Sequence, residues 1–357
     1  NKRFRKRNNW MRESKIIPID KFIETALYDN QSGYYSRKNP FGKSGDFITS
    51  PGISSLFSEM IAIWIISFWK SLNEPKKFNI VELGPGDGKL CKVLIKIFKK
   101  FPRFYKSSNI FLYEKSKTLK DIQKSKIKES GVVWLNSVNE IRNGPTLFFG
   151  NEFFDAIPIK QFEKKNNQVY EKYLQLNSDS SLKIILKKTP VKTIRELKKF
   201  KLLKNNGTIE YPKLGLEELK KIIKKIKKFN GGLLLIDYGS LNQQNTSTLQ
   251  SVKSHKKNKL FDNIGNADIT SLVNFKLLKN YLSKNKLIIN KIVSQSFFLK
   301  RIGILNRAEI LSSKMTFKDK SDLYLRMQRL LDPKYMGNLF KVIFAYKGKK
   351  KFLLGFK

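Results

Sequence analysis

Absences narrow this chain before any motif is read. Its 357 residues include one cysteine, Cys91, and one histidine, His255. A lone cysteine excludes an intramolecular disulfide framework and suits a reducing compartment. Structural zinc sites need four Cys or His ligands, so none can be assembled here and no metal is expected. Arginine is scarce too, 12 of the 72 basic residues, while acids number only 29 and leave a net charge of +43. Proteins that read nucleic acids favour arginine for bidentate contacts. A lysine excess accompanied by abundant Asn and Ile reads instead as a solvated surface bias that favours acidic partners, with no dedicated nucleic-acid site. No apolar run approaches the ~20 residues of a membrane-spanning helix. The nearest, Met60 to Trp69, reads as a buried helix, so no integral membrane protein is expected. There is no nucleophile elbow, no phosphate-binding Gly-Lys-Ser/Thr loop and no internal repeat. The Arg-rich, acid-free start Asn1–Arg7 is like a presequence but very short, and points instead to a frayed or truncated bacterial N-terminus.

What is present is a globular composition, 40% hydrophobic with 27 Phe. Ile19, Phe22, Ile23, Ala26 and Leu27 recur at helical spacing, and a second helix is expected from about Ser54 to Trp69, with Leu56, Met60, Ile63 and Trp64 on one face. From Phe78 the pattern alternates. Strands Asn79–Leu83, Ile110–Tyr113, Val132–Leu135 and Thr146–Phe149 are separated by a helix carrying Leu90, Val93, Leu94, Ile97 and Phe101, and another over Lys117 to Lys128. Such repetition predicts an α/β fold, a parallel sheet with helices on both faces, whose ligands gather at the carboxyl ends of the strands. Residues 159–230 break the rhythm with a hairpin, Val169–Leu176 and Leu182–Leu186, and an amphipathic helix carrying Leu216, Leu219, Ile222, Ile223, Ile226 and Phe229. The sheet resumes at Leu233–Ile236, with Leu287–Ser294 and Val342–Tyr346 as its last candidate strands.

The most informative stretch is Val81-Glu82-Leu83-Gly84-Pro85-Gly86-Asp87-Gly88, between a strand and a helix. A dinucleotide loop has the form G-x-G-x-x-G; this one is G-x-G-x-G with an acid two positions earlier. A carboxylate at Glu82 would repel a pyrophosphate but suits a ligand bearing a cation, such as S-adenosylmethionine. Glu114, at the end of the second strand, can accept both hydroxyls of an adenosine ribose. After the fourth strand comes Asn151-Glu152-Phe153-Phe154-Asp155-Ala156-Ile157-Pro158, two acids and an amide flanking two aromatics. Glu152 would suit a guanidinium, which pairs with a carboxylate through two parallel hydrogen bonds. Phe153 and Phe154 can exclude water there or pack the core. Asp46, in the loop Gly42–Pro51, can close over the cofactor or hold its own turn, and His255 is open to a general-base or a packed-loop role.

Taken together these segments resemble the MidA family, bacterial relatives of the mitochondrial complex I assembly-factor methyltransferase. The resemblance is carried by Gly33-Tyr34-Tyr35, Gly45-Asp46-Phe47-Ile48-Thr49-Ser50-Pro51, Val81-Glu82-Leu83-Gly84-Pro85-Gly86, Asn151 to Pro158 and Ile236-Asp237-Tyr238-Gly239. Downstream, His255, Ala267-Asp268-Ile269-Thr270, Phe298-Leu299 with Gly303-Ile304, Asp332-Pro333, Met336-Gly337 and Leu339 to Val342 extend it. The family usually has an arginine where this chain has Asp87, and a glutamate where it has Gly52.

The resemblance implies a class I (Rossmann-like) S-adenosylmethionine-dependent methyltransferase fold with an N-terminal helical segment and an inserted helical and hairpin region. The expected division is a helical segment and loop (1–70), a first half of the methyltransferase domain (71–158), the insertion (159–230) and a second half (231–357). It further implies methyl transfer to a protein arginine nitrogen, leaving S-adenosylhomocysteine, on a core subunit of complex I whose assembly is thereby supported. Glu82, Gly84, Pro85, Gly86, Gly88, Glu114 and Asp46 are the expected cofactor residues; Glu152, Asp155 and Asn151 are the expected catalytic ones. The compartment expected is the bacterial cytoplasm, or the mitochondrial matrix in a eukaryote, and a homodimer is among the expected states. The competing readings are a methyltransferase of RNA or a small molecule, and a non-catalytic assembly factor that keeps the fold.

Overall fold

The computed structural model describes residues 16–37, 40, 49–177, 179 and 181–357. The chain divides into two units. One comprises Ile48–Phe153, Lys220–Gly239 and Leu282–Lys357; the other comprises Asn1–Phe47, Phe154–Leu219 and Ser240–Tyr281.

In the first unit a short helix, Ser50–Ile53, precedes helix α1 (Ser55–Ser71), whose start is capped by the Ser54 hydroxyl accepting from Leu56 N–H. It is apolar nearly all round, and Trp64 and Phe68 are fully buried among Phe344 and Phe352. Then alternate strand β1 (Phe78–Leu83), helix α2 (Lys89–Phe98), β2 (Ser108–Tyr113), helix α3 (Lys117–Lys126), β3 (Val132–Leu135) and β4 (Thr146–Asn151). Every residue of β1 is buried, as a central strand covered on both faces requires. After strand β5 (Gly231–Ser240) come the short strands β6 (Ile288–Ile289) and β7 (Val293–Ser294), and finally β8 (Phe340–Lys347). The sheet runs β3-β2-β1-β4-β5-β8-β6, with β7 also on β8. Pairing is parallel from β3 through β5.

Four details depart from the sequence reading. The sheet is not wholly parallel, because β8 runs antiparallel to β5, pairing Leu235 with Ile343. Helix α2 stops at Phe98, and Phe101 instead precedes the helix Pro102–Ser107, since the residue before a proline is disfavoured in helical geometry. Helix α3 ends at Lys126, short of Lys128. The run Leu287–Ser294 is interrupted at Asn290, whose side-chain amide donates to the Phe352 carbonyl at 2.8 Å. Helices Gln295–Arg301, Ile304–Ser312 and Phe317–Leu331 complete this unit.

The second unit is built on an antiparallel sheet in the order Ile16–Pro18, Gln168–Leu176, Lys160–Lys165, Gly207–Tyr211, with Leu182–Lys188 beside Gln168–Leu176. The expected hairpin is thus present, closed by Asn177 N–H donating to the Ser181 carbonyl at 2.9 Å. Helix Ile19–Tyr28 buries Phe22, Ile23, Ala26 and Leu27. Lys160 bridges Asp20 at 3.2 Å and Glu171 at 2.6 Å, both carboxylates being buried. The helix Lys213–Phe229 begins in this unit and ends in the first.

Candidate cofactor and methyl-transfer site

β1 delivers Glu82 to the carboxyl end of the sheet, and the chain then turns through three glycines in left-handed geometry. Gly84, Gly86 and Gly88 have φ of 64°, 58° and 79°, values that side-chain-bearing residues adopt only at a cost. Gly84 N–H donates to the Tyr113 carbonyl at 2.9 Å, which ties the loop to the end of β2. A Cβ at Gly84 would stand 2.9 Å from the Phe153 ring. Gly88 then caps α2.

Three carboxylates surround this loop in different states. Glu82 is 3% exposed, and its Oε2 is buried without a hydrogen-bond partner among the described residues. Burial pushes its carboxyl well above the ordinary range, and the neighbouring Asp87 and Glu114 add to the rise. Glu114 is pushed up to about 7 by burial, opposed by hydrogen bonds from Ser116 N–H at 2.8 Å and the Gln123 amide at 3.3 Å. Asp87 is paired, its Oδ2 lying 3.0 Å from Lys126 Nζ and 3.3 Å from Lys89 Nζ. Cys91, on α2, is buried and its thiol pushed up by that burial, which marks it as inert packing.

Beside β1 in the sheet, β4 ends at Asn151, and Glu152 follows with φ 56°. A left-handed glutamate is strained, and such strain concentrates at functional positions. It is held by Glu152 N–H donating to the Ile236 carbonyl at 2.9 Å, and by Phe153 N–H donating to Asp237 Oδ2 at 3.1 Å. Asp237 is 1% exposed, and its other oxygen accepts from Tyr238 N–H. Glu152 Oε1 accepts from Ser50 N–H at 3.2 Å and Asn151 Nδ2 at 3.0 Å. With its amide so fixed, Asn151 presents Oδ1, which is buried and has no partner among the described residues.

Glu82, Gly84, Pro85, Gly86, Gly88, Glu114, Asn151 and Glu152 all belong to the first unit, on β1, its loop and the ends of β2 and β4. Asp155 belongs to the second unit, where its carbonyl accepts from Ser271 N–H at 3.1 Å. Phe154 is likewise a buried residue of that unit, whereas Phe153 is only half-buried. Asp46 lies outside the described residues. His255 is exposed in a tight turn with φ 60°, between strands Gln250–Lys253 and Lys256–Asn258, so the packed-loop role is not what it has. Sequence reading missed Gln123, Lys126, Ser50 and the side-chain role of Asp237. The one available signal for Gln123 was an amide four residues after Leu119, on the apolar face of a lysine-rich helix.

The residues fit S-adenosyl-L-methionine on their own chemistry. Glu82 carries a buried carboxylate oxygen that no donor among the described residues satisfies, and a ligand ammonium would supply one. Glu114 stands at the neighbouring strand end, with acceptors for a ribose.

Comparisons with known proteins agree with that cofactor. A family model described as "Putative S-adenosyl-L-methionine-dependent methyltransferase" matches residues 60–292. The mitochondrial protein arginine methyltransferase NDUFAF7 of Homo sapiens is 28% identical over 355 residues, spanning 91% of this chain and 78% of that protein. Its Caenorhabditis elegans homolog is 30% identical over 324 residues, spanning 83% and 75%. A crystal structure of a Burkholderia thailandensis protein bound to S-adenosyl-homocysteine superimposes with a TM-score of 0.82 at 20% identity, covering 98% of this chain and 92% of that one. At that identity the match establishes the fold, a methyltransferase α/β sheet.

Proposed function

Because the chain belongs to the S-adenosyl-L-methionine-dependent methyltransferase family matched over residues 60–292, we propose that it methylates an arginine nitrogen of a protein. The observation that carries this reading is the anchored pair Asn151–Glu152 at the end of β4. When bound, S-adenosyl-L-methionine supplies the methyl group on its sulfonium and leaves as S-adenosylhomocysteine. Glu82 accepts the ligand's ammonium, and Glu114 accepts the ribose hydroxyls. Glu152 pairs with the target guanidinium and holds its positive charge, concentrating lone-pair density on the nitrogen that faces the methyl group. Asn151 Oδ1 accepts one N–H of that nitrogen and so orients it; as the N–CH3 bond forms and the S–CH3 bond breaks, the nitrogen gives up its displaced proton to water. The protein's share is therefore positioning and electrostatics rather than covalent chemistry.

The name of the curated relatives supports a protein arginine as the acceptor. Following the family resemblance, the substrate is read as a core subunit of the respiratory complex I of the same cell, and the outcome as support of its assembly. The site is then the compartment facing that subunit, the cytoplasm of a bacterium or the matrix of a mitochondrion. Among the described residues no helix is long and apolar enough to cross a membrane. The test is mass spectrometry of the peripheral-arm subunits with the gene present and deleted. An arginine that loses its methyl groups on deletion and regains them on incubation with the purified protein supports the reading. Identical arginine masses in both strains overturn it.

A further inference from the structure

Helix α3 touches the cofactor loop at two points. Gln123, fully buried, donates through Nε2 to the Gly86 carbonyl at 2.8 Å and to Glu114 Oε2 at 3.3 Å. Its Oε1 accepts from the Trp134 indole N–H at 2.9 Å. One turn on, Lys126 reaches Asp87 of the same loop. A neutral amide thus sits where the middle of the glycine loop and the ribose-side carboxylate come together, and an indole donor fixes which end of that amide faces them. An amide has both a donor and an acceptor end, and a flipped Gln123 would turn its oxygen toward Glu114 and the Gly86 carbonyl. The Trp134 donor makes that flip unfavourable, because it would leave two donors face to face and three acceptors together.

We propose that Gln123 is a positioning residue for the cofactor, holding Glu114 and the Gly84–Gly88 loop in one register, with Trp134 fixing its orientation. The proposal rests on reading Glu114 as the ribose acceptor. Gln123 acts in two ways. Its N–H favours the ionised form of Glu114 against the burial that opposes it. Its second bond keeps the Gly86 carbonyl turned toward α3. The other charged groups acting on Glu114 are Lys120 of α3, which favours ionisation, and Glu82 of β1, with which it repels. Neither bonds the Gly86 carbonyl while holding the carboxylate, since Lys120 Nζ is turned to Asn136 Oδ1 at 3.0 Å and Glu82 is an acceptor.

The test is calorimetric binding of S-adenosylhomocysteine from pH 5.5 to 9 by the full chain and four variants. Gln123→Met, close in volume and unable to donate, is expected to bind about ten- to a hundredfold more weakly, the usual worth of a hydrogen bond to a charged group. Its pH midpoint should also move upward. In Gln123→Glu a proton shared with Glu114 can replace the amide only at low pH, so binding should fall with rising pH, opposite to the parent chain. Trp134→Phe keeps the ring but frees the amide, and should cost a smaller, several-fold loss. This variant keeps the proposal testable should the Gln123 variants fold poorly. Glu114→Ala probes the underlying reading: unchanged affinity there removes the ribose role itself. Weakened binding in Glu114→Ala, together with parental affinity and pH midpoint in Gln123→Met or parental affinity in Trp134→Phe, overturns the positioning role alone.

Discussion

The backbone N–H of Ser50 donates to Glu152 Oε1 across 3.2 Å, although 102 positions separate the two in sequence. Ser50 is itself tied down, its hydroxyl donating to Gln295 Oε1 at 3.3 Å while the Gln295 amide donates to the Leu330 carbonyl at 3.1 Å. Oε1 of the carboxylate is therefore anchored by a chain of hydrogen bonds that leads through Gln295 to Leu330. A glutamine at this position can keep its oxygen on the Ser50 and Asn151 donors while losing the charge. Glu152→Gln should bind S-adenosylhomocysteine within about twofold of the parent. Its methyl transfer should fall by at least ~100-fold, the scale of removing one electrostatic partner from a preorganised site. Single-turnover assays with radiolabelled cofactor measure both, and undiminished transfer would take Glu152 out of the mechanism.

The pH dependence follows from Glu114. Burial raises its carboxyl from 4.5 to about 7, so the folded chain holds this proton more tightly than the unfolded one. The resulting stabilisation is fully present below pH 4.5 and is lost as pH rises through 7. Between pH 6 and pH 8 the ligand-free protein should lose about 1 kcal/mol from this group. Glu82, also raised, works in the same direction. Ligand affinity should move oppositely, because the ionised carboxylate is the better acceptor for ribose hydroxyls. Thermal melts and calorimetry at the two pH values check this, with Glu114→Gln as the control expected to flatten both trends. Equal slopes in parent and Glu114→Gln would rule out Glu114 as the source.

Gly84 combines two independent constraints, a φ of 64° and a Phe153 ring carbon 2.9 Å from any added Cβ. A β-branched residue violates both. Gly84→Val should abolish measurable S-adenosylhomocysteine binding and cost roughly 1–3 kcal/mol of stability from backbone strain alone. Retained affinity would sink the assignment of this loop to the cofactor. Gly131, with no atom of the described residues within 4 Å of an added Cβ, is the control and should accept alanine without a change in binding.

Much of the fold was legible because its strands are short, β-rich runs between glycine turns, and β1 to β4 fall within a few residues of where periodicity puts them. The glycine loop was legible for the same reason: its glycines alternate within five consecutive positions, and their positive φ is a local property. What stayed hidden depends on distant pairing. Nothing in Gln123 announces that Gly86 and Trp134 fold against it, and nothing in Ser50 announces Glu152. The antiparallel direction of β8 was equally hidden, because alternation of apolar residues is the same in either direction. The Asn290 break in the Leu287–Ser294 run escaped because a buried side-chain amide that caps a distant carbonyl reads, in sequence, like any polar residue between strands.

In the second unit, Lys160 lies between Asp20 at 3.2 Å and Glu171 at 2.6 Å, with both acids buried. Lys160→Met should leave two uncompensated carboxylates and destabilise by about 2–4 kcal/mol, since removing one partner of a buried pair costs more than the pair contributes. Adding Asp20→Asn and Glu171→Gln should recover most of that loss in chemical denaturation. A triple variant no more stable than the single one would show that the cost lay in lost packing of the lysine stem instead.

Asp87 sits inside the glycine loop with Lys126 at 3.0 Å and Lys89 at 3.3 Å, where the resemblance puts an arginine in the family. The loop is therefore drawn toward α3 by an acid on the loop and a base on the helix. Reversing one charge should push the loop off the helix. Asp87→Arg and Lys126→Glu should each weaken S-adenosylhomocysteine binding by about fivefold, the scale of a partly screened pair near a surface. The double variant restores opposite charges at the same two positions and should regain most of the affinity. Salt separates this from a steric effect: the single variants should approach the parent as ionic strength rises toward 1 M, where screening acts within ~3 Å. Losses that persist at high salt, or that simply add in the double variant, would mean that the pair does not hold the loop.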